Sequence, residues 1–299
     1  MTQDKEEVTM IPIVKDVMFS CVMRNKKTCK ELIELIFPDK KVDKITFQGG
    51  LELNPESKDF ELELQKFLQF NILGKTVRLD VYFKDSNTIY NIEMQGTTNK
   101  EVLPLRARMY SSLIDANILH KGMDYEQLID SYVIFICTFD PFERDKCIYR
   151  FQSVCEDEKD LCEGNKRYNI YLNTTGTKDD ISFDLKEMFR YINGGEKAIG
   201  METESKFVRT LDKYVQEFNA NDTWRQGYMK FELMMRDNYK NGRAEGLAEG
   251  LAEGRTQGKA QAEAQIVKNM YSKQIPLETI ADWTQLSLAE VQKIISNLS

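Results

Sequence analysis

The stretch "VRLDVYFKDSNTIYNIEMQ", from Val77 to Gln95, decides how this chain is read. It has the form of two strands and a turn. Asp80 and Glu93 nevertheless stand inside the strands, where carboxylates are disfavoured. Laid antiparallel about a turn between Ser86 and Asn87, the strands place Asp80 opposite Glu93. The same register pairs Leu79 with Met94, Val81 with Ile92 and Phe83 with Tyr90 on one face, and Arg78 with Gln95 and Tyr82 with Asn91 on the other. A slip of one residue spoils both faces, so the register is well specified. Directly opposed residues have Cβ atoms roughly 4.5–5.5 Å apart, and like charges there are destabilising. A cation between them removes the penalty. Mg²⁺ is commonly held by one or two carboxylates while keeping waters and taking phosphate oxygens as its other ligands. Gln95 lies two residues past Glu93 on the same face and can orient a water or a phosphate. The same spacing also fits an ordinary solvated strand face.

The chain around this hairpin has 299 residues, enough for one large or two ordinary domains with a hydrophobic core. Its 30% charged content is on the high side, as in helix-rich chains. No run of about 18 apolar residues occurs, which argues against a transmembrane helix. The start, "MTQDKEEVTM", is acidic and lacks an apolar segment, so a secretory signal is not expected and a cytoplasmic location is the default. Cys21, Cys29, Cys137, Cys147, Cys155 and Cys162 form no Cys-x-x-Cys pair, and His120 is the one histidine. That disfavours zinc, which wants several such ligands at tight spacing, and leaves a hard cation on carboxylates. The net charge of −7 argues against a protein that coats nucleic acid, but not against a local basic grip.

Outward from the hairpin, helical spacing runs through Val14, Val17, Met18, Cys21 and Val22. Thr28 with Glu31 matches a capping box, and Pro38 ends the helix it would start. Strand-like pieces follow at "KITF" and around "ELEL" (61–64). After the hairpin, "LPLRARMYSSLIDANILH" reads as a helix with Leu105, Met109, Leu113 and Ile114 on one side. "SYVIFICTF" (131–139) reads as a buried strand, and "CIYRF" and "RYNIYLN" as two more. Beyond about Asp184 the pattern is helical as far as Lys240. Glycines at 242, 246, 250, 254 and 258 then recur every four residues, near one helix face, and Glu245, Glu249 and Glu253 repel. The segment reads as a weak helical spacer or, alternatively, as a close-packed helix dimer through the glycine face. The tail has Pro276 at a helix start and Ser287 with Glu290 as a second capping box, a helix–turn–helix shape. Its second helix offers only Gln292, Lys293 and Asn297 toward base edges, which favours a protein-contacting bundle over a DNA reader. The expected division is 1–240, 241–261 and 262–299.

"RLDVYFKDSNTIYNIEMQ" resembles the metal-binding hairpin of the PD-(D/E)XK nuclease superfamily, and more narrowly its recombination-promoting nucleases, also described as transposases of the PD-(D/E)XK type. Members of that family often carry Glu-x-Gln where the superfamily has Glu-x-Lys, as "EMQ" does here. "KDVMFSCVM" resembles the family's opening helix at Asp16 and Phe19, and "LRARMYSSLI" its later helix at Arg106 and Tyr110. The "AEGLAEG" repeats and helical tail are similar too.

The resemblance implies an α/β fold with a restriction-endonuclease-like PD-(D/E)XK core: a helix, a three-stranded antiparallel meander, a helix and a further strand, with added strands and a helical C-terminal extension. It implies a Mg²⁺- or Mn²⁺-dependent DNA endonuclease that promotes DNA recombination or mobile-element activity. Asp80 and Glu93 become metal ligands, Gln95 takes the place of the superfamily lysine, and Asp16 is a further acidic group near the metal. Arg78, Lys100, Arg106, Arg108 and Tyr110 become candidates for gripping DNA. Thr98–Lys121 holds four Lys/Arg against two acids, and Arg106 and Arg108 cannot point the same way on one helix. Glutamine supplies neither the charge nor the proton of a lysine, so the metal, with Arg78 or an arginine of the following helix, has to carry that load. Cutting both strands suggests a homodimer, with the C-terminal helices as its contact. Two other classes stay open: an inactive DNA-binding module, and a self-associating regulatory protein built on the same fold.

Overall fold

The computed structural model describes residues 10–47, 80–96, 100–119, 124–178 and 181–296. Leu79, Arg78 and the "ELEL" segment (61–64) lie outside the described residues. The chain divides into two compact units, one ending at Phe231 and one spanning Glu232–Ser299.

The first unit is a mixed α/β structure on a six-stranded sheet. Two helices come first, α1 (Asp16–Met23) and α2 (Lys26–Ile36). Val17 through Met23 are all buried, so α1 is a core helix rather than an amphipathic surface one. The capping box expected at Thr28 is not the start of α2. Asn25 caps it, its side chain accepting from the Lys27 and Thr28 amides, while Thr28 Oγ1 donates to the Val22 and Asn25 carbonyls. Asn at the N-cap outcompetes a threonine already inside the first turn.

Strands β1 (Ile45–Phe47), β2 (Val81–Asp85) and β3 (Thr88–Gln95) pair antiparallel in sequence. The hairpin register is the expected one, with Val81 opposite Ile92, Tyr82 opposite Asn91 and Phe83 opposite Tyr90. Ser86 turns the chain with φ +46°, a left-handed conformation uncommon outside glycine. Behind the turn, Asp85 accepts the amides of Asp43 and Lys44, which ties the meander's two ends together.

Strand β4 (Asp130–Cys137) lies parallel to β3, and β6 (Arg167–Asn173) parallel to β4, with β5 (Ile148–Phe151) antiparallel at the far edge. Parallel neighbours cannot be joined by a tight turn, so the chain must cross over between β3 and β4. The crossover is helix α3 (Leu103–Ile118), and it fixes which helix lies over the hairpin's polar face. Alternate strand residues divide between two cores. Val81, Phe83, Ile92, Met94, Ile134 and Ile136 pack with α1, α2, α4 (Phe183–Gly194) and α5 (Lys206–Ala220). Ile89, Val133, Phe135, Cys137 and Tyr171 pack with α3 on the opposite face.

The buried stripe of α3 is Leu103, Ala107, Tyr110, Ser111 and Ile114. Leu105 and Met109, expected on the apolar side, are exposed. Counting only apolar residues misplaced the stripe, because small Ala107 lets the helix approach the sheet and Tyr110 is drawn inward by polar partners.

Helix α6 (Asp222–Ser272) continues unbroken through the glycine repeat. Among the described residues, a Cβ at Gly242, Gly246, Gly250, Gly254 or Gly258 would meet nothing within 4 Å. In the second unit, the end of α6 with α7 (Leu277–Thr284) and α8 (Leu288–Ser296) forms a small core from Val267, Ile280 and Val291. The Ser287 capping box is as expected, with the Glu290 amide donating to Ser287 Oγ and the Ser287 amide to Glu290 Oε2. Among the described residues no helix is long and apolar enough to cross a membrane.

Candidate active site

Asp80 immediately precedes β2, and Glu93 and Gln95 lie on β3. All three are buried, Glu93 to 2% exposure. The two acids are locked by reciprocal backbone bonds. The Asp80 amide donates to Glu93 Oε1 at 3.2 Å, and the Met94 amide donates to Asp80 Oδ2 at 3.1 Å. Each carboxylate thus grips the other residue's strand. From the opposite side, Ser20 Oγ on α1 donates to the Asp80 carbonyl at 2.7 Å, which fixes where that residue leaves the sheet.

Asn91, fully buried two residues before Glu93, donates Nδ2 to Glu93 Oε1 at 3.0 Å. Among the described residues its Oδ1 has no hydrogen-bond partner. A buried orphan acceptor costs about 1–3 kcal/mol, so this asparagine is kept at the expense of stability. Asn91 and Ser20 were both missed in the sequence. Asn91 carried a readable signal, since residues 91, 93 and 95 share one strand face. Ser20 carried none, because its bond to Asp80 spans the fold.

Arg106 comes from the first turns of α3. Its Nη2 donates to Glu93 Oε2 at 3.3 Å and its Nη1 to Gln95 Oε1 at 2.5 Å. Tyr110, one turn on, accepts from Arg106 Nη2 at 2.8 Å and from Nε at 3.3 Å. The guanidinium also lies 5.4 Å from the ring centres of Tyr110 and Phe135. Burial opposes its charge, but Tyr110, Glu93 and Asp80 together hold its pKa above the ordinary value.

The other sequence candidates are dispersed. Asp16 sits exposed in the first turn of α1. Its negative charge reaches Glu93, although it joins no cluster of three metal-ligating side chains, of which there is none among the described residues. Lys100 is engaged by Glu143 at 2.8 Å. Arg108 points to solvent, away from Arg106. Arg78 lies outside the described residues.

The electrostatics of Glu93 are those of a buried acid whose charge is opposed by burial. Burial, the largest cause, pushes the Glu93 carboxyl up to about 7. The bonds from Asn91 and the Asp80 amide and the Arg106 charge pull it down, while Asp16 adds repulsion. A divalent cation would favour the ionised form of Glu93 that burial opposes. The donors are hard oxygens on adjacent strands, which suits Mg²⁺ or Mn²⁺ with water and phosphate completing the shell. The residues present therefore fit such an ion, with Asp80 and Glu93 as its holders.

Residues 51–176 match the family model described as PD-(D/E)XK nuclease family transposase. This stretch is similar to a domain of that family. It contains the hairpin, α3 and strands β4 to β6, so every residue of the cluster except Ser20 and Asp16 falls within it. The match over that stretch suggests nuclease or transposase-like activity, with DNA as the implied substrate. Neither a curated protein nor a solved structure matches the chain significantly.

Proposed function

We propose that the chain is a metal-dependent DNA endonuclease whose site is Asp80, Glu93 and Gln95 with the residues that hold them. The observation that carries this reading is the pair of buried carboxylates locked to each other's strands, with Arg106 paired to Glu93. A divalent cation, when bound, would supply charge neutralisation and a polarised water at a phosphodiester. The protein's part is to hold the two acids rigidly, so that little reorganisation is needed when charge develops. In hydrolysis the water oxygen forms a bond to phosphorus and the bond from phosphorus to one sugar oxygen breaks. The water gives up a proton and the departing oxygen takes one.

The element order supports a restriction-endonuclease-like core: α1 and α2, the β1–β2–β3 meander, α3, then β4. The division that goes with this reading is a catalytic part at 1–240, a helical spacer at 241–261 and a small helical tail at 262–299. One such site cuts one strand, so double-strand cleavage would use two copies joined through the C-terminal helices. A role in recombination or mobile-element activity follows the family description.

The test is plasmid cleavage by the full chain with Mg²⁺ or Mn²⁺, beside EDTA and an Asp80→Ala variant. Nicked or linear product that disappears with EDTA and with the variant is expected. Binding of DNA without cleavage by the wild type would replace the nuclease with a binding module. Cleavage that survives Asp80→Ala would refute this site.

A further inference from the structure

A strand lysine, absent here, would place a positive charge beside the scissile phosphate. We propose that Arg106 of α3 supplies that charge, and that Gln95 and Tyr110 are positioning residues that aim its guanidinium at the carboxylate pair. This rests on the nuclease reading and goes beyond it, because it moves Gln95 from water orientation to arginine support and Arg106 from DNA gripping to the reaction itself.

The geometry argues this way. Gln95 Oε1 accepts from Arg106 Nη1 at 2.5 Å, so the amide oxygen is committed to the arginine. Tyr110 accepts from Nε and Nη2, and the Tyr110 and Phe135 rings lie against the cation. These contacts converge from a strand and from the same helix and fix a side chain that otherwise carries much rotamer entropy. A residue meant to grip the DNA backbone would extend toward solvent, as Arg108 does. Arg106 instead folds back over the acids, its Nη2 3.3 Å from Glu93 Oε2, with its side chain still one-third exposed.

A guanidinium has five N–H donors. Nε uses one on Tyr110, Nη2 uses two on Tyr110 and Glu93, and Nη1 uses one on Gln95. Among the described residues one Nη1 hydrogen is left for an incoming phosphate oxygen. Arginine stays protonated throughout, so its contribution is to stabilise negative charge on the non-bridging oxygens and not to carry the water's proton. Glutamine on the strand is then the shorter, neutral partner that the arginine needs. A lysine there would repel the guanidinium.

The experiment compares the full-length wild type with Arg106→Met, Gln95→Lys and the double variant Q95K/R106M. Three quantities are read: cleavage rate at saturating DNA, DNA affinity, and Mn²⁺ affinity by calorimetry without DNA. Arg106→Met should slow saturated cleavage by about 10²–10³-fold, the effect of losing one preorganised donor to developing charge. It should leave Mn²⁺ binding at least as tight, because a competing cation on Glu93 is gone. Q95K/R106M should recover at least about tenfold over Arg106→Met by returning the charge to the strand. Gln95→Lys alone should be slower than the wild type, because two cations are then forced together.

Three outcomes overturn the proposal: an Arg106→Met rate close to wild type once DNA saturates, a loss of Mn²⁺ binding that accounts for the lost rate, or no rescue in the double variant. If Arg106→Met does not fold, Gln95→Ala keeps the question open to test. It should lower the saturated rate with DNA affinity unchanged, and an unchanged rate overturns the proposal. A wild type that does not cleave at all refutes the nuclease reading itself, and this inference with it.

Discussion

Glu93 is the residue whose titration should be visible in the stability of the protein before any DNA is added. Its carboxyl is raised from 4.5 to about 7, with burial as the chief cause. Ionising it in the metal-free fold therefore costs about 3 kcal/mol. The sign follows from proton counts. Between the two values the folded state holds the proton and the unfolded chain has lost it, so stability falls as pH rises through this window and then levels off. Glu93→Gln removes the ionisation and keeps an oxygen to accept from the Asp80 amide and Asn91. Carboxylates with lowered values, such as Glu187 and Asp140, lose their contribution below the window and do so equally in both proteins.

Thermal melts in EDTA should show the wild type losing about 6–12 °C relative to Glu93→Gln between about pH 4.5 and pH 8, given the usual conversion for a domain of this size. Mn²⁺ should restore the wild type at the upper pH and leave Glu93→Gln unmoved, since the ion stabilises only the state that binds it. Below about pH 7 the ion must displace a proton, so its apparent affinity should drop about tenfold per pH unit. A constant difference in melting temperature across the range would show that Glu93 is not an under-compensated buried charge. The reasoning from the acid pair to a cation would then fail.

Other substitutions test the supports. Asn91→Leu removes both an orphan acceptor and a donor to Glu93, so unfolding free energy should change by less than about 1 kcal/mol while cleavage falls by an order of magnitude. A large loss of stability in denaturant melts would contradict this. Ser20→Ala should cost about 1 kcal/mol, and should slow cleavage by freeing the Asp80 carbonyl. An unchanged rate would remove α1 from the site. A Cβ at Gly176 would stand 2.5 Å from the Lys146 carbonyl oxygen and 2.8 Å from the Cys147 amide nitrogen. Gly176→Ala should therefore destabilise by about 1–3 kcal/mol in urea melts, and a neutral result would mean that the β5–β6 edge yields easily.

The hairpin was legible in the sequence because its information is local. Side chains alternate, one register satisfies both faces, and a two-residue turn leaves little freedom, so Val81 could be placed opposite Ile92 without coordinates. Strand β4 was legible for a similar reason, since a segment buried on both faces must be apolar throughout. The start of α2 lies three residues earlier than the Thr28 box implies, because Asn25 caps the Lys27 and Thr28 amides and Thr28 donates back to carbonyls. The buried stripe of α3 was misread for a non-local reason: what faces the sheet depends on what the sheet offers.

The site divides along the same line. The sequence by itself determined that two carboxylates and a glutamine share one strand face. That they form a site depends on the crossover between parallel strands, which lays α3 over that face and brings Arg106 onto Glu93 and Gln95. Nothing in the spacing of "RARMY" separates Arg106 from Arg108 as the inward one. Tertiary packing made that choice, because Ala107 and Tyr110 turn one side of the helix to the sheet and Arg106 travels with them.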